Sequence, residues 1–236
     1  MRPAPVVGPG VLVMAKAPVP GLAKTRIASV VGDEAAADFA AAAFLDTLAA
    51  VEAWAPASRR IVALTGTLAQ AARADEFASR LRGWQVVPQR GASFAERLVH
   101  AHHDAAASWG PSEALLQIGM DTPQLIPADL AALARAVTAP DQAGVDAVLG
   151  PATDGGWWAL ATRRAGYVDG LADVAMSTPH TCAHTATALR AAGARVGLAH
   201  MLSDVDVLAD ATAVAALAPA TMFARAVRAL GIEVAV

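Results

Sequence analysis

The sequence is poor in cysteine, in unbalanced charge and in long apolar segments. Its single cysteine, Cys182, excludes an internal disulfide framework and favours a reducing compartment. The net charge of −3 provides no broad basic surface, which argues against nucleic acid as a partner. No apolar run reaches the roughly 18 residues of a membrane span, and no signal-peptide core precedes Lys16. We therefore expect a cytoplasmic protein without a membrane span; the sequence does not indicate an oligomeric state.

Segments typical of strands and of helices alternate along all 236 residues. The predicted strands are 11–14, 61–64, 84–87, 114–118, 146–150 and 195–202, and the predicted helices are 33–54, 67–82, from Ser93 onward, 127–137, 177–192, 208–217 and 221–230. This alternation predicts a single α/β domain with three α/β/α layers and a mainly parallel central sheet. One antiparallel strand is expected near Trp157 and Trp158.

The strand predicted at 114–118 ends abruptly in Gly119, Asp121 and Pro123. Its apolar residues do not alternate, which is typical of a strand that is covered on both faces. Asp121 would then lie just beyond the carboxyl end of a central strand, where open α/β sheets bind ligands. Its carboxylate could hold a divalent metal against phosphate oxygens. Alternatively, Asp121 only initiates the turn before the next helix.

The loop that follows the first predicted strand carries three cations. Two prolines and Gly21 make this loop rigid, and Lys16, Lys24 and Arg26 are spaced along it. A loop between a strand and the start of a helix is a common anion site, in which lysine and arginine bind phosphate oxygens. A Walker A loop is excluded because its spacing is absent. The alternative is a solvated turn with scattered cations.

The strand predicted at 146–150 runs into Asp154, two glycines and two tryptophans. Glycines allow close backbone approach, Asp154 can accept hydrogen bonds from a hydroxyl group, and indole rings pack on sugars or bases. The Asp-Gly pair is also a strong signal for a type I′ hairpin. A hairpin at the mouth of a cleft would still present Asp154, so the two interpretations are compatible.

Ser93 begins a predicted helix as an N-cap residue with a capping box. Arg97 either serves this helix end or points into the crevice at the edge of the sheet. Three histidines follow, His100, His102 and His103. Their spacing does not place them on one helix face, so we expect surface residues rather than a metal site.

Asp204 and Asp206 follow the last predicted strand. They could cap the helix predicted at 208–217, or one of them could meet a metal on Asp121 from across the cleft. The candidate residues share a location, because all fall at strand ends: the cationic loop, Gly91, Asp121, Asp154 and Asp206. This convergence is the strongest physical argument for a nucleotide site.

Together these motifs resemble the bacterial family of radical-SAM/selenodomain-associated transferases. The resemblance rests on the segments 14–21, 24–26, 44–47, 119–123 and 151–158, with Ser177-Thr178 in the place of the family's Trp-Ser-Thr segment. It implies the GT-A fold of nucleotide-diphospho-sugar transferases, which nucleotidyltransferases share.

Carried onto this sequence, the resemblance implies a set of ligand contacts. A divalent metal, Mg²⁺ or Mn²⁺, is expected at Asp121, with Asp206 as its second ligand. Nucleotide phosphates are expected near Lys16, Gly21, Lys24 and Arg26. From their places at the same edge of the sheet, Ala15, Gly91 and Arg97 are also expected to contact the nucleotide. Acceptor contacts are expected at Asp154, Gly155, Gly156, Trp157, Trp158, Ser177 and Thr178.

Three functions are compatible with these contacts. The first is metal-dependent transfer of a glycosyl group from a nucleotide sugar to a small acceptor, with Asp121 and Asp154 as catalytic residues. The second is nucleotidyl transfer, in which an acceptor attacks a nucleoside triphosphate and pyrophosphate leaves. The third is a nucleotide-binding protein that has lost catalysis.

Overall fold

A single twisted sheet forms the centre of the fold. The computed structural model describes residues 8–138 and 144–232; residues 1–7, part of the segment in which no signal peptide is predicted, lie outside these ranges. The strands are β1 Gly10–Lys16, β2 Arg60–Thr65, β3 Gln85–Pro88, β4 Leu115–Gly119, β5 Ala147–Pro151, β6 Trp157–Thr162 and β7 Val196–Leu198. They pair in the order β3-β2-β1-β4-β6-β5-β7. Only β6 is antiparallel among these described strands, as the sequence predicts for the Trp157 region.

Helices cover both faces of the sheet. Within the described residues they are α1 Thr25–Val31, α2 Asp33–Trp54, α3 Ala74–Arg80, α4 Phe94–Trp109, α5 Pro127–Thr138, α6 Thr181–Ala191, α7 Leu208–Leu217 and α8 Met222–Ala229. The first face packs against α2, α3 and α5, and the second against α4, α6 and a 3₁₀ helix at Ala165–Asp173. Helices α1, α7 and α8 lie on the outer side of α2. The predicted three-layer α/β fold with a mainly parallel sheet is confirmed.

Burial on both faces explains the apolar character of the central strands. Val11 to Ala15 of β1 are all buried, so the strand has no solvent side that would require alternating polar residues. Helix α4 begins as predicted, because the Ser93 hydroxyl accepts a hydrogen bond from the backbone N–H of Glu96 at 3.1 Å. No helix in the described part of the chain is both long and apolar enough to cross a membrane.

The helix predicted at 67–82 is interrupted. It consists of a 3₁₀ turn at Leu68–Gln70, then α3, then another 3₁₀ turn at Leu81–Gly83. The break lies at Arg73, whose backbone is left-handed with φ of 58°. Its guanidinium donates hydrogen bonds to both carboxylate oxygens of Asp38 on α2, at 2.6 and 3.0 Å. A tertiary ion pair therefore overrides the local helix propensity.

The prediction that His102 lies on the surface is wrong. Its side chain is fully buried between α4 and the sheet. The two ring nitrogens lie 3.0 Å from Gln117 Oε1 and 2.9 Å from Thr162 Oγ1, so both have polar partners. Burial lowers the pKa of His102 to about 4. The available signal was its spacing of four residues from Leu98 and from Ala106, both of which are buried.

We expect acidification to destabilise the protein through His102. The unfolded residue takes up a proton near its usual pKa of 6.5, whereas the folded ring remains neutral until about pH 4. Because the unfolded chain binds more protons in this window, the free energy of unfolding falls as the pH drops through it, by up to roughly 3 kcal/mol. Urea denaturation of wild type and His102→Gln at several pH values measures this dependence.

The comparison with the variant is needed because Asp204 acts in the opposite direction. Its folded pKa is raised to about 6, so protonation of Asp204 stabilises the fold on acidification. The His102→Gln protein keeps that contribution and loses the histidine contribution. An identical pH dependence in both proteins would exclude His102 as the responsible group.

Candidate active site

Four loops meet at the carboxyl edge of the sheet. They follow β1, β4, β5 and β7, which run in the same direction and therefore end on the same side. Backbone hydrogen bonds join three of these loops: the N–H of Thr153 donates to Leu202 O at 3.2 Å, and the N–H of Val205 donates to Asp121 O at 3.3 Å. Predicted site residues that are distant in sequence are thus held together by the ends of the strands.

Three carboxylates gather where these loops meet. Oxygens of Asp121, Asp204 and Asp206, one from each, all lie within 4.8 Å of one another. Asp204 and Asp206 flank Val205, which is only 1% exposed, so that the two carboxylates point away from the core side of this extended segment. Burial raises the pKa of Asp204 to about 6, and the charges of Asp121, Asp154 and Asp206 act in the same direction. This concentration of negative charge favours a cation.

Asp210 caps helix α7, which resolves an alternative that the sequence left open. Its Oδ2 accepts hydrogen bonds from the backbone N–H groups of Asp206 at 3.0 Å and Val207 at 2.9 Å. The carboxylates of Asp204 and Asp206 are therefore not needed at the helix end. They remain directed towards Asp121.

Lys24 already supplies a cation to this cluster. Its Nζ lies 2.8 Å from Asp121 Oδ2 and 3.0 Å from Asp206 Oδ1, and its side chain is only 14% exposed. Burial by itself lowers the pKa of Lys24, but the two carboxylates outweigh burial and raise it above its ordinary value. The residue is therefore an ammonium ion. In this structure its direct partners are carboxylates, and its predicted contact with nucleotide phosphate stays a prediction.

The other two cations of the loop are more accessible. Lys16 is exposed, and its Nζ donates a hydrogen bond to the backbone oxygen of Leu22 at 2.8 Å. Arg26 Nη1 lies 3.6 Å from Asp206 Oδ2, with 73% of the side chain exposed. Gly21 adopts φ of 76° in the turn between them, a conformation that glycine reaches without strain. Arg26 therefore lies beside the carboxylates, and both side chains are accessible to an anion.

The remaining predicted nucleotide contacts lie towards β3 and α4. Ala15 is buried, and its backbone oxygen accepts a hydrogen bond from Gln89 Nε2 at 2.9 Å. Gly91 has φ of 133°, and a Cβ there would lie 2.8 Å from a side chain of α4, so packing alone requires glycine. The Arg97 guanidinium carbon lies 5.9 Å from the centroid of the Phe94 ring. Within the described residues, Arg97 Nε is buried without a hydrogen-bond partner.

Asp154 lies in the predicted hairpin between β5 and β6. Its Oδ1 accepts a hydrogen bond from the backbone N–H of Gly156 at 2.7 Å, which orients the exposed carboxylate. Gly155 has φ of 90°, and its backbone oxygen accepts from the N–H of Cys182 at 2.8 Å. The charge of Asp154 contributes to the raised pKa of Asp204, so the hairpin faces the same region as the acidic cluster.

The two tryptophans of β6 lie on opposite faces of the sheet. Trp158 is 2% exposed, and its Nε1 donates to His200 O at 3.1 Å, so it belongs to the core. The prediction that its ring contacts an acceptor is therefore not supported. Trp157 is half-buried on the other face, where its Nε1 donates to Thr185 Oγ1 at 3.2 Å. Alternation along the strand separates neighbouring side chains in this way.

The sequence predicts that Ser177 and Thr178 begin a helix. In the structure they form a turn that precedes α6. The backbone of Ser177 is left-handed with φ of 57°. The Thr178 N–H donates to Thr181 Oγ1 at 3.0 Å, and Thr178 Oγ1 accepts from the N–H of His180 at 3.2 Å. These local hydrogen bonds compete with helix formation and delay the helix start to Thr181.

Two residues of the segment 44–47, Asp46 and Thr47, contact neighbouring segments from α2. The Asp46 carboxylate accepts hydrogen bonds from the backbone N–H groups of Met222 at 2.9 Å and Phe223 at 2.8 Å, which fixes the start of α8. Burial raises the pKa of Asp46. Thr47 Oγ1 lies 3.3 Å from the backbone oxygen of Met120, next to the acidic cluster. The sequence singled out this segment, and the structure gives it a supporting role.

Comparison with known proteins agrees with this architecture. The sequence model of a family described as "Uncharacterized protein conserved in bacteria (DUF2064)" matches residues 47–178. A comparison with curated proteins gives no match. The predicted link to radical-SAM and selenodomain proteins stays a prediction.

Solved structures share the fold at low sequence identity. A protein from Desulfovibrio desulfuricans G20, provisionally described as a nucleotide-diphospho-sugar transferase, matches with a TM-score of 0.75 and 21% identity, covering 95% of this chain and 96% of that one. A cytidylyltransferase from Leptospira borgpetersenii serovar Hardjo-bovis (strain JB197) matches with a TM-score of 0.53 and 12% identity, covering 95% and 94%. CMP:2-keto-3-deoxy-manno-octonic acid synthetase, solved with CTP, matches with a TM-score of 0.50 and 13% identity, covering 86% and 94%. The chain therefore has the fold of these proteins.

The position of the Asp154 hairpin is expected to depend on Gly155. A Cβ at this residue would lie 2.1 Å from the backbone oxygen of Pro179, whereas Gly193 has a similar φ of 84° and no atom within 4 Å. Gly193→Ala should cost about 1 kcal/mol from its left-handed backbone alone. Gly155→Ala should cost about 2–4 kcal/mol, because the hairpin must also move. Urea denaturation of both variants measures the difference, and equal losses would contradict this role of the Pro179 contact.

Proposed function

The chain belongs to the DUF2064 family, and we propose that it is a metal-dependent transferase that moves a glycosyl group from a nucleotide sugar to a small acceptor. One observation carries this proposal: three carboxylates and a cationic loop meet at the carboxyl ends of the strands. A diphosphate group is recognised by a divalent ion together with lysine or arginine, and this edge of the sheet offers both kinds of partner.

The carboxylates are suited to a divalent metal ion. Asp121, Asp204 and Asp206 offer hard oxygen donors that lie close enough to share one ion, which is the ligand chemistry that Mg²⁺ and Mn²⁺ prefer. Asp204 thereby joins Asp121 and Asp206, the two ligands that the sequence predicts. When bound, the ion supplies charge neutralisation for a leaving diphosphate.

The remaining residues divide into a nucleotide side and an acceptor side. Arg26 is exposed beside the acidic cluster, Lys16 is exposed at the end of β1, and both bind phosphate oxygens in this proposal. Asp154 lies across the cluster on the hairpin, where it orients the acceptor hydroxyl and accepts its proton. Ser177 and Thr178 belong to the same side, because Gly155 packs against Pro179, the residue that comes directly after them in the sequence. Trp157 lines this side, while Trp158 stabilises the core.

Nucleotidyl transfer is the second candidate, because the same carboxylate cluster is equally compatible with it. Asp121 comes from the loop after β4, whereas Asp204 and Asp206 come from the segment after β7. Carboxylates from these two segments can hold an ion against a triphosphate as well as against a diphosphate. In this alternative a phosphorylated acceptor displaces pyrophosphate. The identity of the released product distinguishes the two reactions.

The first test is stabilisation by nucleotides. At a ligand concentration near 100 times the dissociation constant, binding stabilises the fold by about 2.7 kcal/mol. For a chain of this size the melting temperature should rise by roughly 5–10 °C. Nucleoside diphosphates, triphosphates and nucleotide sugars are screened by thermal shift with Mg²⁺ or Mn²⁺, and Asp121→Asn serves as the control for metal dependence. The absence of any shift at millimolar concentration would contradict the nucleotide site.

Product analysis then identifies the reaction. Release of a nucleoside diphosphate supports glycosyl transfer, and release of pyrophosphate supports nucleotidyl transfer. Stabilisation without turnover, over a broad set of acceptors, identifies a binding protein. The Asp121→Asn protein should fold normally and lose metal-dependent turnover, because the substitution removes charge without changing shape.

The two sides of the site can be separated by substitution. Arg26→Ala should weaken nucleotide affinity by about tenfold, because it removes a charge-assisted contact to phosphate. Asp154→Asn should leave nucleotide affinity nearly unchanged and lower kcat by about 10²–10⁴, because the amide cannot accept the hydroxyl proton. Calorimetric titration of the identified nucleotide and steady-state kinetics measure the two effects. Loss of nucleotide affinity in Asp154→Asn, with normal affinity in Arg26→Ala, would reverse the assignment.

A further inference from the structure

The chain contains only two lysines: Lys16 is the last residue of β1, and Lys24 lies in the loop that follows. The positive charges elsewhere in the sequence are arginines. Lysine differs from arginine in carrying a compact point charge with three donors on a flexible stem. Such a group can take the place of a small ion between carboxylates and can also leave it by rotation of its stem.

Lys24 uses this property in the acidic cluster. Its ammonium bridges Asp121 and Asp206 at 2.8 and 3.0 Å, and the two carboxylates come from different segments, the loop after β4 and the segment after β7. Its backbone is left-handed with φ of 45°, which is uncommon for a residue with a side chain. The side chain is thus directed inwards, whereas the neighbouring Arg26 remains mostly exposed.

A metal ion and this ammonium compete for the same carboxylates. A divalent ion binds carboxylate oxygens at about 2.0–2.6 Å, and the ammonium contacts oxygens of two of the same three carboxylates. Two cations in such a small space would repel each other strongly, since burial reduces screening by water. Occupancy of the carboxylates by one cation therefore disfavours binding of the other.

We infer that Lys24 is an exchangeable cation, which neutralises Asp121 and Asp206 until a divalent metal replaces it and then turns to the diphosphate of the nucleotide. This inference rests on the proposed function, because it places the metal and the nucleotide phosphates in one site. Lys24 is then not simply one more phosphate-binding lysine. It links the two binding events by changing its partner.

The exchange has a thermodynamic consequence. The apparent affinity for metal alone is reduced by the fraction of molecules in which Lys24 has left the carboxylates. A diphosphate offers the displaced ammonium a new anionic partner and so favours the metal-bound state. Metal and diphosphate therefore bind cooperatively, and each raises the affinity for the other by the same factor.

Titration with Mn²⁺ alone tests the displacement. Free Mn²⁺ is followed by electron paramagnetic resonance in wild type, Lys24→Met and Arg26→Met. We expect Lys24→Met to bind Mn²⁺ at least about tenfold more tightly than wild type, because no ammonium has to leave. Arg26→Met removes the same charge from the neighbouring exposed position, and its affinity should change by less than about threefold.

Two outcomes of this titration would overturn the inference. One is a Lys24→Met protein that binds Mn²⁺ no more tightly than wild type. The other is an equal gain in Arg26→Met, which would assign the effect to overall charge. If Lys24→Met does not fold, Lys24→Gln replaces it as a neutral side chain that can still form hydrogen bonds to the carboxylates.

A second measurement uses the wild-type protein and needs no substitution at Lys24. With ¹⁵N-lysine labelling, the chain gives two side-chain ammonium signals, which are assigned with Lys16→Arg. Saturating Mg²⁺ should shift the buried Lys24 signal, and inorganic pyrophosphate added with Mg²⁺ should shift it again. An unchanged Lys24 signal at Mg²⁺ saturation, verified by calorimetry, would exclude the exchange.

The measurements separate this inference from the proposed function. Tighter Mn²⁺ binding by Lys24→Met supports displacement even if no nucleotide stabilises the protein. Conversely, the protein could bind and turn over nucleotide while its Lys24 signal does not change on addition of Mg²⁺. This result would support the proposed function and exclude the exchange.

Discussion

The repulsion among three close carboxylates is the constraint around which this structure is organised. Asp121, Asp204 and Asp206 approach each other within 4.8 Å, and an uncompensated cluster of this kind would oppose folding. The repulsion contributes to the raised pKa of Asp204, and the ammonium of Lys24 offsets part of the negative charge. Apolar residues could stabilise this part of the fold at least as well as these charged groups do. For this reason we propose that the cluster serves binding.

The surrounding scaffold keeps the carboxylates in place without using them. Asp210 caps α7, so the segment 204–206 remains extended, and Val205 anchors that segment in the core. On the opposite side, Thr47 contacts the backbone beside Asp121, and Asp46 fixes the start of α8 against α2. Other polar groups therefore form the hydrogen bonds at these helix ends and turns. The clustered carboxylates are not needed for them and are available to bind a ligand.

The parts of the fold that depend on local pattern could be predicted from the sequence. The span of α2, the strand before Asp121 and the antiparallel position of β6 follow from apolar runs and turn residues. The errors involve distant partners. His102 is buried because it meets Gln117 and Thr162, and the partners of Lys24 are 97 and 182 residues away. No local spacing reveals that a loop cation will bridge carboxylates. The order of the strands in the sheet determines which loops meet, and so determines this contact.

The antiparallel strand β6 has a consequence for how this protein family can diversify. Because β6 enters the sheet between β4 and β5, the proposed acceptor side of the site is built from one continuous hairpin, residues 151–158. The proposed nucleotide side is built from separate segments after β1, β4 and β7, which constrain one another through ion pairs. If the hairpin binds the acceptor as proposed, substitutions within this one short segment are sufficient to change the acceptor. We expect relatives to preserve the ion-pair side and to vary most in this hairpin.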